Sequence, residues 1–338
     1  MLISACLIVR DEERLLARCV RRLRGAYDEL CVVDTGSTDR TAEVARRLGA
    51  AVERTTECNG PDGKILDFSA ARNAALAMAR GEWVLSIDAD EVVEPGGAAR
   101  IRRAVRRTDA PGLRVTLRDG AITWRATRLF RNDPRHRYVG RVHEGVRFPP
   151  GSPPVRDAPG VVFRHLPDKR DKEGSNERNL RLCEAEVRDA PGSARALFYL
   201  ANELRLAGRY DEAVARYEQQ LALGGGWPTE RYRAAHCVAT CRFAQGRHGE
   251  AIDAGLRALR LDPRYAETHC VVGDAYFALG EYEFARQWYK SALACGAPPA
   301  DSPMFVMAVA YDRYPRAKIR ACERRLRERR AARREGGP

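Results

Sequence analysis

Between residues 2 and 88 the chain alternates two kinds of segment, and this alternation restricts the fold more than any other feature. Residues 2–9 (LISACLIV) are a short apolar run of strand type. Residues 12–24 follow with Leu15, Leu16, Cys19, Val20 and Leu23 at helical spacing. A second strand is expected over 29–36 (ELCVVDTG), ending at Asp34. A helix comes next, capped by Ser37 or Thr38 and stopped by Gly49. Residues 68–80 read as a third helix and 82–88 (EWVLSID) as the next strand. Strands separated by helices of this length predict a parallel sheet with helices on both faces. Ligands of such sheets bind outside the carboxyl ends of the strands. Asp34 and Asp88 both stand at such ends, so one cleft is expected to hold both.

From about 113 to 165 the pattern changes to short strands, including YVGRVHEGVRF (138–148) and GVVFRH (160–165). These predict a mixed or antiparallel extension of the sheet, with residues 149–160 as a loop. After 175 the sequence is helical and repeats itself. Gly208, Gly246 and Gly280 mark three tight helix–helix turns, and Ala213, Ala251 and Ala285 mark positions where paired helices touch. The fold class expected is therefore α/β, with a mixed, mainly parallel sheet, followed by an all-α solenoid. Its divisions are 1–170, a connecting helix at 171–192, repeats over 193–312 and a basic helix or tail at 313–338.

The chain has 338 residues, 44% hydrophobic and 31% charged, which suits two globular domains. No apolar run reaches 18 residues, so no transmembrane helix is expected. The amino-terminal segment reads as a core strand and not as a signal peptide. Ten cysteines are scattered without a CxxC pair. Cys237 and Cys241 lie one helical turn apart, with no histidine pattern to complete a zinc site. Reduced, buried thiols and a cytoplasmic location are the expectation. The net charge is +13, and the segment from Arg313 to Arg334 carries eleven Lys or Arg. A solvated terminal helix accounts for it; peripheral contact with an anionic membrane surface is the alternative. No zinc-finger or RRM-type motif supports a nucleic-acid partner, and a homo-oligomer is left open.

Against that positive background, WVLSIDADE (83–91) places three acids in four residues at the end of a buried strand. Like charges so close raise one another's pKa unless something positive lies among them. Either Asp88, Asp90 and Glu91 are a solvated turn, or they face a cation. A hard divalent ion such as Mg²⁺ or Mn²⁺ suits carboxylate oxygens.

Four segments in order, ACLIVRDEE, LCVVDTGSTDRT, DFSAARNAALAMARGEWVLSIDADE and YVGRVHEG, resemble family-2-type nucleotide-sugar glycosyltransferases of the GT-A fold. The nearest branch includes the peptide S-glycosyltransferases of sublancin type. The helical half, with its G-x-Y/H-x-x-A core and 34-residue period, resembles the tetratricopeptide repeat. The resemblance implies a UDP-sugar donor and a divalent Mn²⁺ or Mg²⁺ cofactor. It puts Asp34 at the base, Arg72 near base and diphosphate, Asp67 at the pocket rim, and Asp88 and Asp90 at the DxD motif. Asp88 would face the ribose or the metal and Asp90 the metal. His165, at the end of the last strand, would complete the metal shell and favour manganese. Asp39 is expected to stabilise its helix instead.

An inverting transfer needs a base. Glu144 is the first candidate, on a strand returning to the cleft; Glu91 is the second and His143 the third. Arg128 and Arg131 alternate with apolar residues, and either meet phosphate or lie on the surface. The function expected is transfer of a sugar to a Cys or Ser/Thr side chain of a peptide or protein bound by the repeats. A polysaccharide or lipid-linked glycan acceptor is the alternative. A non-catalytic nucleotide-binding scaffold is the second.

Overall fold

A computed structural model describes residues 2–120, 122–166, 174–224, 228–299 and 306–335. The chain divides into two compact units, Met1–Gly174 and Ser175–Pro338.

The first unit is built on strands β1 (Ile3–Val9), β2 (Glu29–Asp34), β3 (Ala51–Arg54), β4 (Trp83–Ser86), β5 (Glu91–Val93), β6 (Gly112–Asp119), β7 (Ile122–Arg131), β8 (Arg137–Val139), β9 (Gly145–Arg147) and β10 (Arg156–His165). Its helices are α1 (Leu16–Arg22), α2 (Thr41–Arg47), α3 (Phe68–Met78) and α4 (Gly97–Arg106). Eight strands form one sheet in the order β3-β2-β1-β4-β7-β6-β10-β5, and β8 pairs with β9 in a separate hairpin. β1 runs parallel to both β2 and β4, whereas β7 is antiparallel to its neighbours β4 and β6. The sheet is mixed, as expected. Ile3, Leu7, Trp83, Leu85, Ile87 and Phe163 are fully buried in its core, and so are Leu16, Cys19 and Leu23 from the apolar stripe of α1.

Several local expectations change. The loop expected over 149–160 ends early, because β10 already begins at Arg156, where it pairs with Leu113 of β6. Residues 138–148 are not one strand: β8 and β9 are three residues each, and residues 140–144 form the connection between them. Ser37 and Thr38 do not cap α2. The helix starts at Thr41, and Asp39 accepts the backbone N–H of that residue at 2.8 Å. Gly49, at φ +86°, ends the segment as expected. β3, β5 and α4 were not apparent in the sequence; β5 is only three residues long and every one of them is buried.

Asp28 ties the start of β1 to α4. Its carboxylate accepts the backbone N–H of Leu2 and Ile3 at 2.9 and 3.0 Å and binds Arg102 at 2.5 Å. The Arg102 hydrogen bond, and then the two backbone donors, pull its pKa down to about 2. A folded value below the unfolded one means a contribution present above pH ~4 and lost as the pH falls toward 2. Asp28→Asn should therefore cost about 1–2 kcal/mol at pH 7, a figure reduced for partial exposure, and progressively less below pH 4. Urea midpoints at several pH values check this; an equal loss at pH 7 and pH 2.5 would refute it.

The second unit contains α5 (Ser175–Asp189), α6 (Ala194–Leu206), α7 (Tyr210–Ala222), α8 (Pro228–Ala244), α9 (His248–Leu261), α10 (Ala266–Ala278), α11 (Tyr282–Ala294), a 3-10 turn at Ala308–Tyr311 and α12 (Arg313–Glu335). The three expected repeats are α6–α7, α8–α9 and α10–α11. Gly208, Gly246 and Gly280 all have φ near +75° at the tight turns, a conformation that disfavours any side chain. Ala213, Ala251 and Ala285 are fully buried where the paired helices meet. α12 is fastened by Asp274 of α10, which accepts hydrogen bonds from Tyr289 and Tyr314, each at 2.6 Å, and binds Lys318 at 2.8 Å. The ten cysteines are free thiols, nine of them buried, Cys237 and Cys241 included. Among the described residues, no helix is long and apolar enough to cross a membrane.

Candidate active site

The sheet order places β1 between β2 and β4, so the chain changes direction of progression at that point. Open α/β sheets bind their ligands at this kind of position. Val9 lies opposite Asp34, and Cys6 lies opposite Ser86. Asp34 and the segment following β4 thus flank the end of β1 on its two sides, roughly 10 Å apart by strand spacing. This convergence is the one the sequence predicted.

Asp34 is 1% exposed. Its Oδ1 accepts the backbone N–H groups of Gly36 and Ser37 at 3.1 and 2.7 Å, which fixes the turn. Its Oδ2 is buried and makes no hydrogen bond. A buried carboxylate oxygen without a donor is costly, and it marks a place where a ligand N–H can be accepted.

The acids after β4 meet arginines. Arg72 of α3 binds Asp88 Oδ1 at 2.8 Å and Glu144 Oε1 at 2.5 Å. It also donates to Ser86 Oγ at 3.4 Å and lies over the Tyr138 ring. Arg128 of β7 binds Asp88 Oδ2 at 2.8 Å and also contacts Glu91. Glu91 in turn accepts the backbone N–H of Asp88 at 3.2 Å. Three carboxylates therefore share two guanidiniums. Burial opposes the charge on Asp88, but Arg72 and Arg128 outweigh it and hold the carboxyl well below the usual range. Burial pushes Glu91 up to about 7, against the pull of Arg128, with the charge of Asp88 adding to the rise. Glu91 has a single arginine to share, which explains why the two acids move in opposite directions.

Asp90 stands apart from this cluster. Its Oδ2 lies 3.0 Å from His165 Nε2, and His165 Nδ1 lies 3.3 Å from Asp119. The pairing of β5 with β10 sets His165 opposite Glu91 and so brings the imidazole to its neighbour Asp90. The hydrogen bond to Asp90 raises the imidazole to about 9.

Residues 4–156 match glycosyl transferase family 2, and residues 230–295 match the tetratricopeptide repeat. Residues 4–156 are a family 2 glycosyltransferase domain. The chain is 34% identical over 272 residues to a TPR repeat-containing protein of Synechococcus elongatus, covering 76% of this chain and 66% of that protein. It is 25% identical over 227 residues to the SPbeta prophage-derived glycosyltransferase SunS of Bacillus subtilis, covering 63% of this chain and 51% of SunS. An uncharacterized glycosyltransferase of Rickettsia typhi is 36% identical over 89 residues, which is 26% of this chain and 28% of that protein. The chain thus spans 66% or less of the length of these relatives. Among solved structures, MamA is 19% identical with a TM-score of 0.35, over 46% of this chain and 80% of that chain.

Within the first unit the expected residues take different places. Asp34, Arg72, Asp88, Asp90, Glu91, Glu144 and His165 stand at or beside the carboxyl ends of β1, β2 and β4. Asp67 is the N-cap of α3 and accepts the Ala70 N–H at 3.0 Å. Glu144 and His143 sit in the β8–β9 connection and not on a returning strand, with His143 at φ +52°. Arg131 is not in the site: it stacks on Trp83 at 4.4 Å and donates to the Thr108 carbonyl.

Arg128, by contrast, belongs to the site, and sequence alternation did not separate it from Arg131. The β6–β7 register explains why. Leu113 pairs with Leu129 and Arg114 pairs with Thr127, so Arg128 is the extra residue of a bulge. A bulge re-aims one side chain without a sequence signature.

The donor set also tests the expected metal. Both oxygens of Asp88 are committed to arginines, so Asp88 is not a ready ligand. Asp90 and His165 lie in reach of each other, but both imidazole nitrogens face carboxylates, so His165 can serve as a ligand only after an arriving ion displaces its proton. Among the described residues, no preformed cluster of three or more His, Cys, Asp or Glu is arranged around a metal position. Two protein donors suit a Mn²⁺ or Mg²⁺ ion that takes its remaining ligands from phosphate and water.

Proposed function

We propose that the family 2 domain transfers a sugar, with inversion, from a UDP-sugar to a Cys or Ser/Thr side chain of a peptide or protein, the acceptor being bound by the repeats. The observation that carries the donor reading is the buried, unpartnered Oδ2 of Asp34 at the end of β2. A uracil imide N–H fits that atom, because the turn already occupies Oδ1.

Asp90 and His165 would hold the divalent ion. When bound, that ion supplies charge stabilisation to the departing diphosphate. Arg72 and Arg128 keep Asp88 ionised and fixed in orientation. The acceptor sulfur or oxygen attacks the anomeric carbon, and the bond from that carbon to the diphosphate oxygen breaks on the opposite face. The acceptor proton passes to a carboxylate. Glu144 is the better of the two candidates, since Glu91 is buried beneath Arg128 and Glu144 engages Arg72 through Oε1 alone. Glu144 Oε2 is the atom that would take the proton.

Thermal unfolding with UDP tests the reading. UDP at about 100 times its Kd should raise Tm by roughly 5–10 °C when Mn²⁺ is present. Asp90→Ala should abolish that metal-dependent shift. A scaffold that binds no nucleotide would give no shift, and one that binds without metal would give the same shift in the variant. Donor hydrolysis across several UDP-sugars, followed by peptide mass analysis, then addresses the acceptor. Hydrolysis without a peptide mass gain would move the acceptor to a glycan.

A further inference from the structure

At the far end of β10 from His165, α4 and β10 enclose a cleft of about 430 Å³. Arg156 pairs across from Leu113 and Arg164 across from Arg118, which puts the cleft about 17 Å along the sheet from the His165 end. Four arginines line it: Arg100, Arg103 and Arg107 from α4 and its end, and Arg156 from the start of β10. Spacings of three and four residues place the first three on one face of the helix. Leu113 contributes apolar wall.

The nearby acids do not neutralise this group. Asp157 lines the cleft, but its two oxygens are taken by Arg114 and Arg125 at 2.9 and 2.7 Å. Asp109 reaches Arg156 at 3.3 Å in a pair so exposed that it contributes little. Arg100 is held in a built slot. Its Nη2 donates to the Pro95 carbonyl at 2.7 Å, and its Nε is buried without a partner. A Cβ on Gly96 would come within 2.9 Å of Nη1, and one on Gly160 within 3.1 Å of Cδ. Both glycines have φ near +75°, so neither position favours a side chain. Helix-dipole compensation explains Arg103 in the last turn of α4. It does not explain Arg100 in the opening turn, where a positive charge opposes the dipole, nor Arg156 on a strand.

We propose that this cleft is a second anion site, one that binds a phosphoryl ligand of diphosphate size and is separate from the donor pocket. Guanidinium forks match phosphate oxygens in pairs, and the volume falls in the range of small-molecule sites. The phosphate belongs either to a free small molecule or to a lipid headgroup.

Titration calorimetry of inorganic pyrophosphate into the full chain, in EDTA, tests the site. Saturable binding is expected. Arg103→Glu/Arg107→Glu, at two exposed positions, should weaken it at least tenfold, and Arg156→Gln across the cleft should weaken it as well. Arg320→Glu/Arg324→Glu on the exposed face of α12 makes the same charge change and should leave affinity within twofold. The Tm shift given by UDP with Mn²⁺ should be unaltered in the cleft variants. The site is overturned by any of four results: no saturable binding, no effect of Arg156→Gln, equal weakening by the α12 pair, or loss of the UDP response together with pyrophosphate binding. Cosedimentation with phosphatidic acid vesicles that depends on Arg103 and Arg107 assigns the phosphate to a lipid. Retained pyrophosphate binding without cosedimentation assigns it to a free molecule.

Discussion

Replacing Arg128 by alanine is expected to cost the first unit about 3 kcal/mol, seen as a Tm roughly 6–12 °C lower. Arg128 is the only arginine bound to Glu91 and one of two bound to Asp88, among the described residues. Removing one partner of a buried ion pair leaves the other charge without compensation in a poor solvent, and that loss exceeds the net worth of the pair itself. The low end of the usual range applies because the Asp88 side chain is still 32% exposed. Arg128→Lys keeps the charge and should recover about half of the loss. Combining Arg128→Met with Glu91→Gln should recover more than the single changes predict, since it removes the stranded acid as well. Denaturant midpoints check all three. If Arg128→Ala shifts the midpoint no further than Arg125→Ala, whose ion pair with Asp157 is exposed, the cluster does not hold the fold.

Asp34→Asn should weaken UDP by roughly 10- to 100-fold and at the same time improve CDP. The direction follows from the turn. Gly36 and Ser37 donate two backbone N–H groups to one carboxylate oxygen, and only an oxygen can replace it there. The asparagine amide is therefore forced to put its NH₂ where Oδ2 now stands. That group meets the imide N–H of uracil donor to donor, but it can donate to the unprotonated ring nitrogen of cytosine. Calorimetric affinities for the two nucleotides, with Mn²⁺, provide the measurement. Equal losses for UDP and CDP would show that the base is held elsewhere.

The parts of the fold that could be read from the chain were those governed by periodicity. The stripe on α1 and the Gly/Ala spacing of the repeats each apply one rule at several positions, so a local reading sums many weak signals, and the run in β4 is apolar enough to be read directly. β5 offered three residues, and its placement rests on pairing with β10, about 70 positions later. The site divides the same way. Asp34 and Asp88 were legible because strand ends are legible. Arg128 was not, because a bulge inserts one residue and switches the side from which it projects. Glu144 was expected on a strand, but the chain turns there instead, and Arg72 rather than strand register determines where its carboxylate lies. The acids of WVLSIDADE posed a charge problem, and Arg72 and Arg128 answer it for Asp88 and Glu91, while Asp90 faces His165.

The antiparallel seam between β5 and β10 has a consequence for biosynthesis. As the ribosome extrudes the chain amino end first, Asp90 emerges 75 residues before the imidazole it contacts. Until β10 docks, the nascent unit has β6 as an unsatisfied sheet margin and β5 without the strand it pairs with. Stalled or truncated products ending before residue 156 should therefore expose a pairing edge and attract chaperones or aggregate. The Asp90–His165 contact cannot form before β10 has paired with β5, so it is absent from every chain too short to contain that strand.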